Sequence, residues 1–273
     1  MSAPNTAPAL YDAPGPRTRR RIRWGTAAVV LVFAALLVTL VTRLDAQGQF
    51  AEAKWGPLLD PTHEQFGQVW DFLGAGLLAT LQAAAIAIAL SLLLGTVLAV
   101  TRFTAAAWYR WAVVGCIEFL RGVPVVMSVF FAARVLPELG VDLPVMWFLV
   151  IGLTLYNSVV IAEVIRAGIQ ALPKGQAEAA QAIGLTRSAT LRLVLLPQAF
   201  RITLPALIGQ LVVVLKDTSL GFIISYEELL RRGQIAVQTL ENPLQMFFVI
   251  GAIFIGVNFS LSKLAEAVER RAG

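Results

Sequence analysis

The chain has 273 residues, of which 58% are hydrophobic and only 14% are charged, with a net charge of +5. Soluble domains usually carry about 25% charged residues, so this composition excludes an ordinary water-soluble globule. The single cysteine, Cys116, excludes an intrachain disulfide, and His63 is the only histidine. We therefore expect no metal site, because thiolate and imidazole ligands are almost absent.

The N-terminal region combines a basic segment with the first apolar run. Residues 1–23 are predicted to form a disordered basic tail, whose arginines are Arg17, Arg19, Arg20, Arg21 and Arg23. The region 24–72 is predicted to hold an extra transmembrane helix, about 24–42, and an outer segment with one lysine, Lys54, against five acidic residues. Basic residues favour the cytoplasmic side of a membrane, so we expect the tail in the cytoplasm.

The rest of the chain, residues 73–268, is predicted to be one transmembrane domain. It contains five further apolar runs, at about 73–101, 109–134, 143–165, 202–226 and 243–262. Each reaches the roughly 18–20 residues that a helix needs to cross a bilayer. A basic stretch at about 166–201 separates the fourth span from the fifth and is predicted to be a cytoplasmic loop. The fold prediction is an all-α membrane protein with six transmembrane helices and both termini in the cytoplasm.

Two charged residues lie inside the third apolar run. Measured along a straight helix from Arg110, Glu118 lies about 12 Å deep and Arg121 about 16 Å deep. A charge near the middle of the bilayer costs about 2.5–3.5 kcal/mol on insertion scales, so it needs a partner or a polar cavity. The two side chains could pair with each other, since they are three residues apart. Alternatively they line a substrate path, because Gly122 and Pro124 then break the helix.

A long motif occupies the predicted cytoplasmic loop. It runs from Leu172 through Glu178-Ala179-Ala180 to Gly184, and nine residues later continues as Val194-Leu195-Leu196-Pro197. This pattern resembles the EAA loop of ABC importer permeases, with Val194 in place of the family's isoleucine as the one departure.

Three further segments resemble the polar amino acid branch of that superfamily. They begin at Glu118, Ala162 and Leu215, and the first has Val123 where the family usually has threonine. The resemblance covers residues 73–268. The extra first helix and residues 11–17 look similar to glutamate permeases in particular.

The resemblance implies a type I importer fold, with a five-helix permease core that couples to a separate ATPase. The implied coupling residues are Glu178, Ala179, Ala180, Gly184, Leu196 and Pro197. The small alanines let a partner approach closely, and Gly184 can end the first helix of the loop at positive φ. The alternative is an amphipathic helix pair that lies on lipid headgroups. No phosphate-binding GxxxxGK motif occurs in the chain, so ATP and Mg²⁺ are expected on the partner ATPase, with no cofactor bound here.

The substrate implied by the resemblance is a polar amino acid, with glutamate first and aspartate or glutamine as the other candidates. An amino acid carries an ammonium and a carboxylate, which suits a site offering charges of both signs. The candidate pathway residues are Glu118, Arg121, Gly122, Pro124, Lys216, Asp217, Thr218 and Ser219. We expect Glu163 and Arg166, again three apart, to form a structural or gating pair beside the loop.

The implied partners are ABC ATPase subunits, a second permease that is identical or related, an extracytoplasmic amino acid-binding protein and the lipid bilayer, with no nucleic acid. The implied location is the bacterial inner membrane, and the implied mechanism is alternating access by a transport subunit that is not itself an enzyme. An ion-coupled secondary amino acid transporter or a channel is the nearest alternative, but neither requires the EAA spacing. A membrane enzyme is a more distant one, and the chain has no GxSxG or HExxH pattern.

Overall fold

The structure, a computed structural model, describes residues 15–104 and 107–272. Over these residues the chain is helical, and it divides into two compact units, Met1–Glu52 and Ala53–Gly273. The helices are α1 (Pro16–Ala46), α2 (Glu52–Leu59), α3 (Phe66–Thr104), α4 (Ala107–Gly122), α5 (Val125–Glu138), α6 (Val145–Ala171), α7 (Lys174–Ala182), α8 (Arg187–Ala189), α9 (Leu196–Asp217), α10 (Leu229–Leu240) and α11 (Pro243–Ala272). A π-helical turn, Thr190–Leu195, joins α8 to α9, and a 3₁₀ turn, Thr218–Ile224, follows α9.

The first unit consists mainly of α1. This helix begins at Pro16, so the prediction of a disordered tail is wrong for residues 16–23, while residues 1–14 lie outside the described residues. The reason is local: proline fits the first turn of a helix, where its missing N–H has no partner to lose, and arginine has a high helix propensity. No residue of α1 is buried within the chain, as expected for a helix that faces lipid.

In the second unit, α3 and α6 run in the same direction. Near one end, Gly95 of α3 abuts Ser158 and Ile161 of α6, and Arg102 pairs with Glu163. Towards the other end, earlier residues of both helices meet the segment after α9. There the Tyr226 hydroxyl donates to the Ala79 carbonyl at 3.0 Å, and Gly221 lies against Leu149. We call the end that carries residues 172–197 the loop end and the opposite one the far end.

The parallel course of α3 and α6 means that α4 and α5 together cross the bundle once. The chain leaves α3 at the loop end and enters α6 at the far end, and α4 and α5 are the helices between them. They meet at an angle of 102°. Five other helical segments of the described chain are long and apolar enough to span a membrane: Pro16–Ala46, Phe66–Thr104, Val145–Ala171, Arg187–Ile224 and Pro243–Ala267. With the bent pair as the sixth crossing, the predicted six-helix, all-α membrane fold is confirmed.

The bend falls where the sequence predicts it. Helix α4 ends at Gly122, and Pro124 caps α5 with extended backbone (φ −57°, ψ 140°). Proline lacks an N–H and drives the preceding residue away from helical angles, so one straight helix over 109–134 cannot form. Because α4 and α5 meet at 102°, they cannot both lie along the membrane normal, so the depths calculated for Glu118 and Arg121 hold only for an α4 that follows the normal.

Helix α9 runs against α6 along its whole length. Near the loop end, Gly168 of α6 lies against Ala199 and Thr203 of α9. Further along, Gln210 donates to the buried Asn157 of α6 at 2.7 Å. Two apolar clusters lie between these helices and α3. The cluster nearer the loop end includes Ala99, Ile161, Ile165, Ala199 and Leu207, and the cluster nearer the far end includes Ala83, Ala87, Leu149, Leu153 and Val214.

Two short helices close the far end. Helix α2 packs through Leu58 into a cluster with α3, α10 and α11, and Trp70 donates to the Leu58 carbonyl at 3.0 Å. Helix α10 approaches α3 so closely that the Leu229 backbone lies 3.0 Å from where a Cβ of Gly76 would be. Neither helix is predicted from the sequence: α2 falls in the predicted outer segment before residue 73, and α10 falls between the last two predicted spans. Both helices are too short to register as spans, and their stability comes from this packing.

Candidate functional site

The loop segment 172–197 forms a helix–turn–helix. Helix α7 ends in a Schellman motif, in which Leu185 N–H donates to the Ala180 carbonyl at 3.1 Å and Gly184 N–H to the Gln181 carbonyl at 3.0 Å. Gly184 has φ +89°, a conformation that costs a residue with a Cβ about 1–2 kcal/mol. The predicted pair of short helices with Gly184 at the joint is therefore present.

The second arm of the loop segment continues directly into the bundle. The Thr186 hydroxyl caps α8 by accepting from Ala189 N–H at 3.3 Å, and the π-helical turn then passes without a break into α9. Leu196 and Pro197 are the first two residues of α9. Helix α7 packs on the π-helical turn, and Gln198 donates to Gln176 of α7 at 3.2 Å. The loop segment is thus fastened to the start of a transmembrane helix.

The EAA residues divide between a packed face and an open face of α7. Ala180 is 5% exposed, whereas Glu178 and Ala179 are exposed. This leaves one carboxylate and one small side chain on the open face. Their coupling role, like that of Gly184, Leu196 and Pro197, remains a prediction.

Glu163 and Arg166 form the predicted ion pair, with Arg166 Nη2 at 2.8 Å from Glu163 Oε2. A third member is not predicted from the sequence: Arg102, near the end of α3, pairs with the other oxygen of Glu163. The two residues are 61 positions apart, and only the parallel packing of α3 and α6 brings them together. Arg166 also donates to Gln170 at 2.7 Å.

A groove of about 640 Å³ lies between α9, α10 and α11, and two of the four candidate pathway residues at positions 216–219 line it. Lys216 and Ser219 line it, together with Asn258 of α11, a residue that is not among the sequence-predicted candidates. Thr218 is fully buried and donates its hydroxyl to the Leu215 carbonyl at 2.6 Å, so it does not line the groove. Asp217 is half-buried. The remaining groove wall is apolar: Leu230, Phe247, Ile250, Gly251, Phe254 and Ile255.

The candidates of the third span lie elsewhere. Glu118 and Arg121 are both exposed on the last turns of α4, and among the described ion pairs none joins them. The positive charge of Arg121 instead acts on Glu163. Gly122 and Pro124 form the bend itself. Within the described chain, these residues and the groove beside Lys216 do not share a cavity.

Comparison with known proteins agrees with this architecture. A family model described as "Binding-protein-dependent transport system inner membrane component" matches residues 91–273. The glutamate transport system permease protein GluD of Corynebacterium glutamicum is 39% identical over 236 residues, which cover 84% of each chain. The probable glutamine ABC transporter permease protein GlnP of Bacillus subtilis is 32% identical, covering 77% of this chain and 96% of that one.

A solved structure shares the fold. The chain aligns with the crystal structure of an amino acid ABC transporter with histidines at 29% identity and a TM-score of 0.69, over 76% of this chain and 96% of that one. Permeases of this kind operate with ATPase and binding-protein partners in the bacterial inner membrane, and they are transport components rather than enzymes. The chain therefore belongs to the inner-membrane components of binding-protein-dependent transport systems, as a multi-pass permease of the amino acid ABC importer kind.

Proposed function

We propose that the chain forms the translocation pathway for an acidic amino acid, glutamate first, in an importer driven by a separate ATPase. That ATPase would bind ATP and Mg²⁺ and dock on the loop segment, which places both chain termini and the loop end in the cytoplasm. The proposal for the substrate draws on the glutamate permease that is 39% identical over most of both chains. The direct physical support is Lys216, the one charged side chain among the residues that line the groove.

The loop segment supports the coupling part of the proposal, because it is connected mechanically to the groove. Force applied to α7 passes to the π-helical turn on which it packs, and from there into α9. From Leu196 to Lys216, α9 spans about 30 Å at 1.5 Å per residue. Because α9 is one continuous helix that contains Pro205, a displacement at the loop end is carried along it towards the groove near the far end.

The chemistry of the groove favours a carboxylate. Lys216 supplies a positive charge, while the Ser219 hydroxyl already donates to the Lys216 carbonyl at 2.8 Å and the Asn258 amide to the Phe254 carbonyl at 2.6 Å. A charge-assisted hydrogen bond in an apolar surrounding is stronger than in water. A substrate with an extra side-chain carboxylate therefore gains more from this groove than a neutral one.

A second permease, identical or related, completes the proposed assembly. Glu118 and Arg121 are exposed in the single chain, although charges within a span need a partner or a polar cavity. A neighbouring permease would provide that environment and enclose a shared pathway. An extracytoplasmic binding protein would deliver the substrate at the far end.

The test is ATP-dependent uptake of labelled glutamate into liposomes that contain the chain with its ATPase and binding-protein partners. Unlabelled aspartate, glutamine, arginine and histidine serve as competitors. Glu178→Ala removes the carboxylate from the open face of α7. Glu266→Ala, on the exposed Lys263–Glu266 pair of α11, is the matched control.

We expect uptake that requires ATP, is inhibited most by acidic amino acids, and falls at least about tenfold in Glu178→Ala while Glu266→Ala is unaffected. A loss of about 1.4 kcal/mol at the docking contact corresponds to such a change. Uptake that continues without ATP and stops when ion gradients collapse would instead support an ion-coupled transporter. Strongest inhibition by arginine or histidine would contradict the substrate assignment alone.

A further inference from the structure

A small cavity lies at the loop end, where α3, α4 and α6 meet. It has a volume of about 260 Å³ and is lined by Arg102, Phe103, Val114, Arg166 and Gln170. Two of the five lining side chains are guanidinium groups, while the other lining groups are two apolar side chains and an amide. This composition distinguishes the cavity from the apolar groove beside α5, which is lined by Phe119, Leu120, Val123, Ser128, Phe131, Ala132, Val135, Leu136, Ile151 and Leu155.

The cavity carries an excess of positive charge. Arg102 and Arg166 both pair with the single carboxylate of Glu163, and the charge of Arg121 acts on the same carboxylate. Arginine stays protonated at any physiological pH. One negative charge therefore faces two directly paired cations and a third nearby, so at least one positive charge is left over at this end of the bundle.

Arg102 keeps more hydrogen-bonding capacity than Arg166, whose Nε, Nη1 and Nη2 already contact Glu163 and Gln170. In the described contacts Arg102 uses only Nη1, although a guanidinium has five N–H donors in a planar fork. The side chains of Arg102 and Arg166 are 21% and 28% exposed, so both can be reached from the cavity. A planar fork with open donors matches the oxygens of a phosphate group.

The position of the cavity matches the level of lipid headgroups. Arg102 lies two residues before the end of α3, and Arg166 lies five residues before the end of α6, so the cavity is where two spans leave the membrane. Phe103 and Val114 provide apolar contact on the lipid side, and the exposed Trp111 lies on the same helix as Val114. Basic pockets between helices at this level bind anionic headgroups in other membrane proteins.

We propose that this cavity binds the phosphate of an anionic phospholipid headgroup between Arg102 and Arg166. The lipid phosphate neutralises the surplus charge that Glu163 leaves. It thereby stabilises the contact between α3 and α6 next to the loop segment. This site is separate from the groove beside Lys216 and does not depend on the identity of the transported substrate.

The test uses the full chain in complex with its partner subunits, delipidated in a neutral detergent. The unfolding temperature and the lipid retained in native mass spectra are measured after addition of phosphatidylglycerol, phosphatidylcholine or inorganic phosphate. Arg102→Gln removes one guanidinium, and Arg102→Lys keeps the charge for Glu163 but removes the fork. Arg201→Gln is the control, because Arg201 is exposed at the start of α9 and does not line the cavity.

We expect phosphatidylglycerol, and not phosphatidylcholine, to raise the unfolding temperature and to remain bound in the wild type and in Arg201→Gln. Arg102→Gln should retain phosphatidylglycerol about fivefold less, which is the contribution expected from one basic residue near an anionic lipid. Arg102→Lys should also retain less than the wild type, because lysine lacks the planar fork that matches a phosphate. Equal effects of the two lipids on the wild type would overturn the proposal even if a variant fails to fold. Inorganic phosphate that stabilises as well as phosphatidylglycerol would assign the site to a free anion and overturn the lipid assignment.

Discussion

Gly184 is the residue on which the shape of the loop segment depends most directly. Its φ of +89° ends α7 and turns the chain towards α8. Gly184→Ala should cost about 1 kcal/mol and displace the second arm, so we expect weaker ATPase binding and slower ATP-driven uptake with normal membrane insertion. Gly175→Ala is the matched control, since that glycine has a helical backbone and open space around its Cβ position. If both variants transport equally, the turn is not part of the coupling.

Lys216 is the residue that should set the charge preference of transport. In Lys216→Gln the groove loses its cation, and a charge-assisted hydrogen bond contributes about 1.5–3 kcal/mol. We expect at least about tenfold weaker competition by glutamate in the uptake assay, with little change for glutamine, whose side chain is neutral. Ser262→Ala, on α11 outside the groove, should leave the competition profile unchanged. An equal loss for both competitors would mean that Lys216 supports the fold rather than recognises the substrate.

Glu228, at the far end between α9 and α11, should make stability depend on pH. It is fully buried at the start of α10, and burial raises the pKa of its carboxyl to about 7, partly opposed by bonds from the Leu230 and Arg231 N–H groups. The ordinary pKa of a glutamate carboxyl is 4.5. Between pH 4.5 and pH 7, Glu228 therefore keeps its proton in the native state but has lost it in the unfolded state. Stability should therefore fall as pH rises through this window, by up to about 3 kcal/mol, and level off above it.

The measurement is the unfolding temperature of the detergent-purified chain between pH 4.5 and 8. The unfolding temperature of the wild type should fall as the pH rises to about 7. Glu228→Gln should show much less of this pH dependence, because glutamine has no ionisable proton. Glu227→Gln is the neighbouring control, since that side chain is 57% exposed and pairs with Arg232 at 3.4 Å. A Glu228→Gln variant with the wild-type slope would place the titrating group elsewhere.

At the residue scale, the sequence predicts contacts within a helix better than contacts between helices. The Glu163–Arg166 pair is three residues apart, so helix geometry alone predicts it. Glu118 and Arg121 have the same spacing, and yet no ion pair of the described chain joins them. Arg102 joins Glu163 only through the packing of α3 on α6, which no local pattern encodes.

At the scale of the helices, small residues determine how closely α3 and α6 can pack where they cross. A Cβ on Gly95 would lie 2.7 Å from the Ser158 carbonyl and 2.7 Å from an Ile161 methyl group. Gly95→Ala should push these helices apart and destabilise the chain by about 1–3 kcal/mol, as overpacking usually does. Gly74→Ala, in the same helix but with open space around it, should have no such cost. Equal unfolding temperatures of the two variants would show that the crossing relaxes easily.

The sequence predicts the membrane-spanning helices well, because a helix must be long and apolar to cross a membrane. The break between α4 and α5 is also predictable, because Gly122 and Pro124 act locally. The angle of 102° between the two helices cannot be predicted locally, because it depends on how α5 packs on α6. In that contact the Val129 backbone lies 2.4 Å from the Cβ position of Gly152. Helices α2 and α10 are missed for a related reason. Each is stabilised by contacts with α3 and α11 that are distant in sequence, such as Asn242 donating to the Lys54 carbonyl at 2.9 Å.

At the scale of the whole molecule, the number of times that the chain crosses the membrane determines which ends of the bundle share a side. With α4 and α5 as one bent crossing, the loop end and the turn before α3 lie on opposite sides of the membrane. Basic residues agree with a cytoplasmic loop end: Arg102, Arg166, Lys174, Arg187, Arg192, Arg201 and Lys263 all belong to it.

Thiol labelling tests this arrangement, because Cys116 is the only cysteine in the chain. In a Cys116→Ser background, Glu64→Cys places a thiol in the exposed turn before α3, and Gln181→Cys places one on the exposed face of α7. With the chain expressed without its ATPase, a membrane-impermeant maleimide should label Glu64→Cys in intact cells and Gln181→Cys only after permeabilisation. The reverse pattern would invert the topology. Labelling of both thiols in intact cells would mean that α4 and α5 form a re-entrant hairpin and that the chain crosses the membrane five times.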